Sequence, residues 1–274
     1  MRTDWDDAYA NMAHVEGSEN LPELWTERAA KYRQNLDSRL IETDVSYGAA
    51  PRETMDFILP ENPPLGLAVF VHGGYWMRLD KSYWSDLAEG ARACGWAVCI
   101  PSYTLTPEVT IPMITTQIAK AINTAAKRID GPIRLAGHSA GGHLVSRMVC
   151  ADSNLDASVH ERIEHTLSIS GLHDLRPLMK TKMNDVLQLD EAMAIAESPA
   201  LLRPAGNPVL TAWVGGGERP EFIRQAKLFA NIWTGLGANT HCVVDGKHNH
   251  FTVIEDLKQS DSPLTNAFVG TDRI

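Results

Sequence analysis

Short, nearly unbroken apolar runs alternate with longer mixed stretches through most of the chain. The runs are "LGLAVFVHGG" (65–74), "GWAVCIPSY" (95–103), "PIRLAGHS" (132–139), "IEHTLSIS" (163–170), "NPVLTAWVGG" (207–216) and "NTHCVVDG" (239–246). A strand with one wet face alternates apolar and polar positions, whereas a strand covered on both faces reads as a continuous apolar run. These six segments therefore predict buried strands, and the stretches between them predict the covering helices of an α/β fold with a mostly parallel sheet. Two helices have legible ends: one over 80–95, with Asp80 as N-cap and Gly95 as its stop, and one over 114–131, stopped by Gly131. Upstream, 42–48 and 53–60 pattern as a short antiparallel pair, and 21–36 as a helix inside an N-terminal helical extension spanning 1–42.

The rhythm breaks after the sixth strand. Residues 174–207 carry proline near both ends and helix-forming residues between them, which predicts a small cap insertion partly covering a site. The tail beyond Leu257 is polar and is expected to be loosely held. With no repeat, low-complexity tract or linker, residues 1–274 are expected to form one domain.

Composition narrows the function. Apolar residues make up 44% and charged residues 22%, an ordinary globular balance that excludes extended disorder. A formal charge of −9 with no basic cluster argues against nucleic acid or an anionic membrane as partner. The opening "MRTDWDDAYANMAHVEG" is acidic and lacks a signal peptide's apolar centre, so the expected compartment is the cytoplasm. Cys94, Cys99, Cys150 and Cys242 lie in or beside apolar segments without CxxC spacing, which favours reduced core thiols over disulfides or zinc. Neither metal nor cofactor is expected. The expected partner is a small-molecule substrate; oligomeric state is not legible, a homodimer being one option.

Candidate chemistry centres on "GHSAG" (137–141), a GxSxG pattern with a strand before it and a helix-compatible run after it. That context places Ser139 on a strained turn, with its hydroxyl above the sheet and the Ala140 N–H at a helix start. The alternative is a tight turn that needs glycine and merely contains serine. A hydroxyl needs a base and oxyanion donors to act as a nucleophile. "HGGYW" (72–76), after an upstream strand, is a glycine-rich turn able to aim the amides of Gly74 and Tyr75 at a carbonyl oxygen; His72 reads as a turn-stabilising hydrogen-bonder. Glu218 and His250 each follow a later strand, so both fall at the sheet edge where Ser139 sits. Asp174 competes with Glu218 as the acid, and His248 with His250 as the base. "HNH" also permits a metal reading that no HExxH or cysteine pair completes. His138, His143, His173 and His241 read as local hydrogen-bonders.

In this order "HGGYWMRLDKSYWS", "GHSAGGHL", "SGLHDLRPL", "GGGERPEF" and "HNHF" resemble the α/β-hydrolase superfamily, and within it the kynurenine formamidase (arylformamidase) group and its bacterial esterase relatives. The resemblance spans Gly73 to Phe251. It implies Ser139 as nucleophile, Glu218 as acid, where the formamidase pattern commonly has aspartate, and His250 as base. It also implies an acyl transfer that releases formate from N-formylkynurenine, with carboxylesterase activity on short acyl esters as the alternative. A non-catalytic binding role is a third reading. Trp76 and Tyr103 are candidates for stacking an aryl leaving group, core packing being the other option for both. Arg78 and Arg176 are candidates for a kynurenine carboxylate, with solvated surface as their alternative.

Overall fold

In the computed structural model residues 3–270 are described, and they build one eight-stranded sheet. Its strands are β1 (Ile41–Ser46), β2 (Thr54–Ile58), β3 (Leu67–Val71), β4 (Ala97–Pro101), β5 (Ile133–His138), β6 (Ile163–Ile169), β7 (Val209–Gly215) and β8 (Asn239–Asp245). The spatial order is β1-β2-β4-β3-β5-β6-β7-β8. β1 and β2 pair antiparallel, as do β2 and β4, and every later pairing is parallel. Each of the six apolar runs is therefore a strand, but β8 is not buried as expected: it is an edge strand with no buried residue, because no further strand covers its outer side. β3 shows why the others lack alternation: Leu67, Val69 and Val71 join one core cluster while Ala68 and Phe70 join the other, so both faces are covered.

Ten α-helices accompany the sheet among the described residues: α1 (Trp5–Ala8), α2 (Leu21–Asn35), α3 (Glu89–Ala93), α4 (Ile111–Ala126), α5 (Ala140–Met148), α6 (Ala157–His160), α7 (Asn184–Leu187), α8 (Glu191–Ala196), α9 (Pro220–Gly235) and α10 (Pro263–Val269). α4 presents Ile111, Ile114, Ile118 and Ile122 as a single stripe into the first cluster. Burying each isoleucine stabilises the contact by roughly 1.5–3 kcal/mol. α5 and α9 share that face, whereas α2, α3 and α10 send Trp25, Ala91 and Phe268 into the second.

Two expectations are corrected. The helix over 80–95 is broken into 3₁₀ turns at Lys81–Tyr83 and Ser85–Ala88 before α3 begins. Asp80 does cap the start, accepting from the Ser82 amide at 2.7 Å. Lys81 then turns inward to pair with Asp44 and Asp56 at 2.6 and 2.7 Å, and Arg33 holds the Ser82 carbonyl and Ser85 hydroxyl, so tertiary bonds outweigh helix propensity. The chain after Leu257 is not loose as far as Gly270. Ser262 caps α10 by accepting from the Thr265 amide at 3.0 Å, and Leu264, Ala267, Phe268 and Val269 are buried. Residues 271–274 of that tail, like Met1 and Arg2 of the acidic opening, lie outside the described residues. The segment 174–207 holds a 3₁₀ turn at Arg176–Lys180, then α7, α8 and a second turn at Pro199–Leu201.

Candidate active site

β5 runs directly into α5 through Ser139, whose φ of 55° and ψ of −117° lie where non-glycine residues are strained. Its amide donates to the Ile169 carbonyl at 2.8 Å, extending the β5–β6 ladder by one residue before the chain turns up. The turn is possible because strand and helix nearly touch: a Cβ on Gly141 would fall 1.9 Å from the Val71 carbonyl oxygen. Serine at an N-cap position normally bonds its own helix. The Ser139 side chain makes no such cap bond, which leaves Oγ free for another partner. At the same place the Ala140 amide opens α5, where an N–H has no intrahelical acceptor.

The turn after β3 is held in an equally uncommon shape. Gly74, Tyr75, Trp76 and Leu79 have φ of 108°, 50°, 58° and 70°. A Cβ on Gly74 would lie 2.3 Å from the Arg78 carbonyl oxygen, so only glycine fits there. The loop is tied at each end. Thr106 donates its amide to the Trp76 carbonyl at 2.9 Å, and Arg52 donates to the carbonyls of Leu79 and Tyr103 at 2.5 and 2.8 Å. Among the described residues the amides of Gly74 and Tyr75 donate to no protein acceptor.

Glu218 and His250 meet across 32 residues of sequence. His250 Nδ1 lies 2.7 Å from Glu218 Oε2, and both side chains are almost fully buried. The other carboxylate oxygen, Oε1, accepts from the Gly215 amide at 2.7 Å and from the Ser170 hydroxyl at 2.5 Å, which fixes the carboxylate plane. His138 donates from Nε2 to the His250 carbonyl at 2.8 Å and so anchors the loop that carries His250. That role was invisible in sequence. The rivals are engaged elsewhere: Asp174 is taken by Arg176, at 2.8 and 3.0 Å, while His248 sits 3.7 Å from both Asp245 and Asp256.

Ser139 and His250 open onto one cavity of about 340 Å³, lined also by Gly73, Gly74, Tyr75 and His138. Much of its wall comes from a part of the chain that offered no chemical signal: Tyr9, Ala10, Asn11, Met12 and Ala13 precede α2, and Trp25 lies on it. Contacts that seat this segment include the Tyr75 hydroxyl donating to the Tyr9 carbonyl at 2.7 Å and the Tyr9 hydroxyl donating to Glu221 at 2.9 Å. Of the segment 174–207, Met183 alone reaches the cavity wall. Trp76 and Tyr103 are not on that wall; both are fully buried, which is the core-packing option. The Trp76 ring packs edge-on to His143 at 5.1 Å, and Tyr103 lies flat on His72 at 4.4 Å with its hydroxyl donated to the His72 carbonyl. The aromatic wall is instead Trp25, Trp84 and Phe251, with the first two rings 4.8 Å apart.

A profile of the alpha/beta hydrolase fold matches residues 68–245. The chain belongs to this family. The hydrolase is 28% identical over 250 residues to a kynurenine formamidase of Danio rerio, covering 88% of this chain and 83% of that protein. A kynurenine formamidase of Drosophila melanogaster is 26% identical over 73% of this chain and 70% of its own. Among solved structures, one from Silicibacter sp. TM1040, described as a candidate thioesterase, is 47% identical with a TM-score of 0.91 over 97% of this chain and 99% of that one. Esterase B of Lactobacillus rhamnosis shares the fold at 17% identity, with a TM-score of 0.67 over 94% and 91%. Among the described residues no helix of the hydrolase is long and apolar enough to cross a membrane.

The hydrolase buries several imidazoles, some beside this centre and others, such as His165, away from it. Burial holds His72 and His165 down at about 4, and His143 and His173 at about 3, against an ordinary 6.5; His138 is also pushed well down by burial and by His250 beside it. Between pH 6.5 and about 4 the unfolded chain takes up protons that these folded imidazoles refuse. Stability is therefore fully present above the unfolded value and falls as pH drops through that window, by up to roughly 1.4 kcal/mol per pH unit for each histidine. Urea midpoints at pH 7.5, 6.0 and 5.0 should decline steadily, with the drop between 7.5 and 6.0 lying above the ordinary carboxylate range. Equal midpoints at all three would contradict the buried neutral state.

Proposed function

We propose that the hydrolase is a serine acyl-transfer enzyme that removes a small acyl group from an aryl amide, N-formyl-L-kynurenine being the substrate that fits best. The observation carrying this reading is the 2.7 Å contact of Glu218 with His250, in a cavity shared by His250 and Ser139 and bordered by the unpaired amides of Gly74 and Tyr75. Glu218 holds the imidazole with Nδ1 protonated, leaving Nε2 to accept the Ser139 proton. Ser139 Oγ attacks the formyl carbon while the amides of Gly74, Tyr75 and Ala140 hold the oxyanion. Collapse breaks the C–N bond, and His250 passes its proton to the departing aniline nitrogen. Water, deprotonated by His250, then cleaves the formyl ester to give formate and free Ser139. The aromatic wall of Trp25, Trp84 and Phe251 suits an aryl leaving group, and the similarity to kynurenine formamidases over 88% of the chain supports the same substrate class.

Short-chain ester hydrolysis is the second reading, because the same machinery serves any acyl carbon and esterases share this fold. A thioester belongs in the same comparison, given the description of the 47% identical Silicibacter protein. Steady-state kinetics on N-formyl-L-kynurenine, p-nitrophenyl acetate and a short-chain acyl thioester separate the three. The formamide should have the highest kcat/KM. A Ser139-dependent activity confined to the ester or thioester would remove the formamidase assignment and leave the acyl-transfer mechanism in place.

A further inference from the structure

The cavity wall is mostly apolar and aromatic, and Arg78 is its one residue of fixed charge. Arg78, an exposed side chain, lies four residues after Gly74 on the same tightly tied loop. No Asp or Glu lines the cavity, and the one polar contact of the Arg78 guanidinium among the described residues is Nη1 to Met12 Sδ at 4.0 Å. Most other arginines near the site are committed. Arg176 pairs with Asp174, Arg219 with Asp7 and Arg224 with Glu221. The chain has a net charge of −9, and Arg78 is a positive charge on the cavity wall with no carboxylate partner among the described residues.

A second polar group on this wall also lacks a partner. Asn11, adjacent in sequence to the Met12 that Arg78 touches, is 94% buried and lines the same cavity. Its Nδ2 donates to the Tyr75 hydroxyl at 3.3 Å, yet Oδ1 has no hydrogen-bond partner among the described residues. A buried acceptor left unpaired is costly, and it is explained if a substrate N–H arrives there. A cation and an acceptor on one cavity wall match a group carrying both an anion and a protonated nitrogen.

We propose that Arg78 is a specificity residue that binds a carboxylate carried on the leaving side of the substrate, with Asn11 accepting from a neighbouring N–H. The proposal rests on the reading that acyl transfer takes place at Ser139 in this cavity. A guanidinium fork matches one carboxylate with two parallel bonds. A carrier with several phosphates would call for more cations than the single arginine on this wall, so a carboxylate is favoured over a polyphosphate tail.

Two matched pairs test it. N-formyl-L-kynurenine and N-formylkynuramine differ by the carboxylate on a formamide; 4-acetoxybenzoate and 4-acetoxybenzamide differ by a charged carboxylate on an ester. Wild type should prefer the carboxylate member in kcat/KM by about tenfold, chiefly through KM, as one partly solvated charge pair allows. Arg78→Gln should bring the ratio to about one, Arg78→Lys should retain part of it, and added salt should shrink the wild-type ratio. A wild-type ratio near one overturns the proposal. So does a ratio unchanged in Arg78→Gln, or an equal loss on both members of a pair. If wild type turns over the esters but neither formamide, the formamide reading fails and the ester pair still decides on Arg78. Activity on neither pair overturns both.

Discussion

Ser139→Ala should lower kcat/KM on every substrate the hydrolase turns over by at least about four orders of magnitude, because the nucleophile that forms the covalent intermediate is gone. The same substitution should leave folding stability within about 1 kcal/mol of wild type. The two expectations separate because the Ser139 side chain makes no cap bond to α5, so its removal breaks nothing that holds the turn. A fluorophosphonate probe should label wild type stoichiometrically and the variant not at all. A folded Ser139→Ala protein that keeps more than about a tenth of wild-type turnover would show that Ser139 is not the nucleophile.

Glu218→Gln is expected to reduce kcat by about three to four orders of magnitude. One oxygen of the replacement can still accept from the Gly215 amide and Ser170 hydroxyl, which keeps the side chain in its plane. The amide nitrogen then faces His250 Nδ1 at the present 2.7 Å position, where it can donate but not accept. The imidazole must move its proton to Nε2 and can no longer take one from Ser139. Glu218→Asp restores an acceptor but falls one methylene short, so a smaller loss is expected. Asp174→Asn should change kcat by less than about threefold, since Asp174 is bonded to Arg176 and not to His250. Kinetics of the three variants, with thermal unfolding as a control, identify the acid. A larger loss in Asp174→Asn than in Glu218→Gln would reverse the assignment.

The sheet was readable from the chain because a strand covered on both faces must be apolar at consecutive positions, and β3 to β7 each carry that run, whereas β8 at the sheet edge has no buried residue. The turn at Ser139 was equally readable, since close approach of strand to helix requires glycine at Gly141. Glu218 and Asp174 could not be told apart by position, as each follows a strand at the same sheet edge. Only the packing of the two loops shows which carboxylate reaches an imidazole.

Whether Trp76 stacks a substrate or packs in the core was left open by the sequence for a related reason. With φ of 58° at Trp76, the backbone sends the indole beneath the loop onto His143 and away from the cavity. Likewise, the segment from Tyr9 to Ala13 has no periodicity to read, because its turns are too short to repeat. It walls the cavity through bonds such as Tyr9 to Glu221, 212 residues away. Sequence by itself determined which segments are buried, where the chain must turn tightly and which chemistry those turns carry. Tertiary structure decided which side chains meet and what encloses them, because burial leaves a local period in the sequence, whereas contacts between distant segments depend on how the whole chain packs.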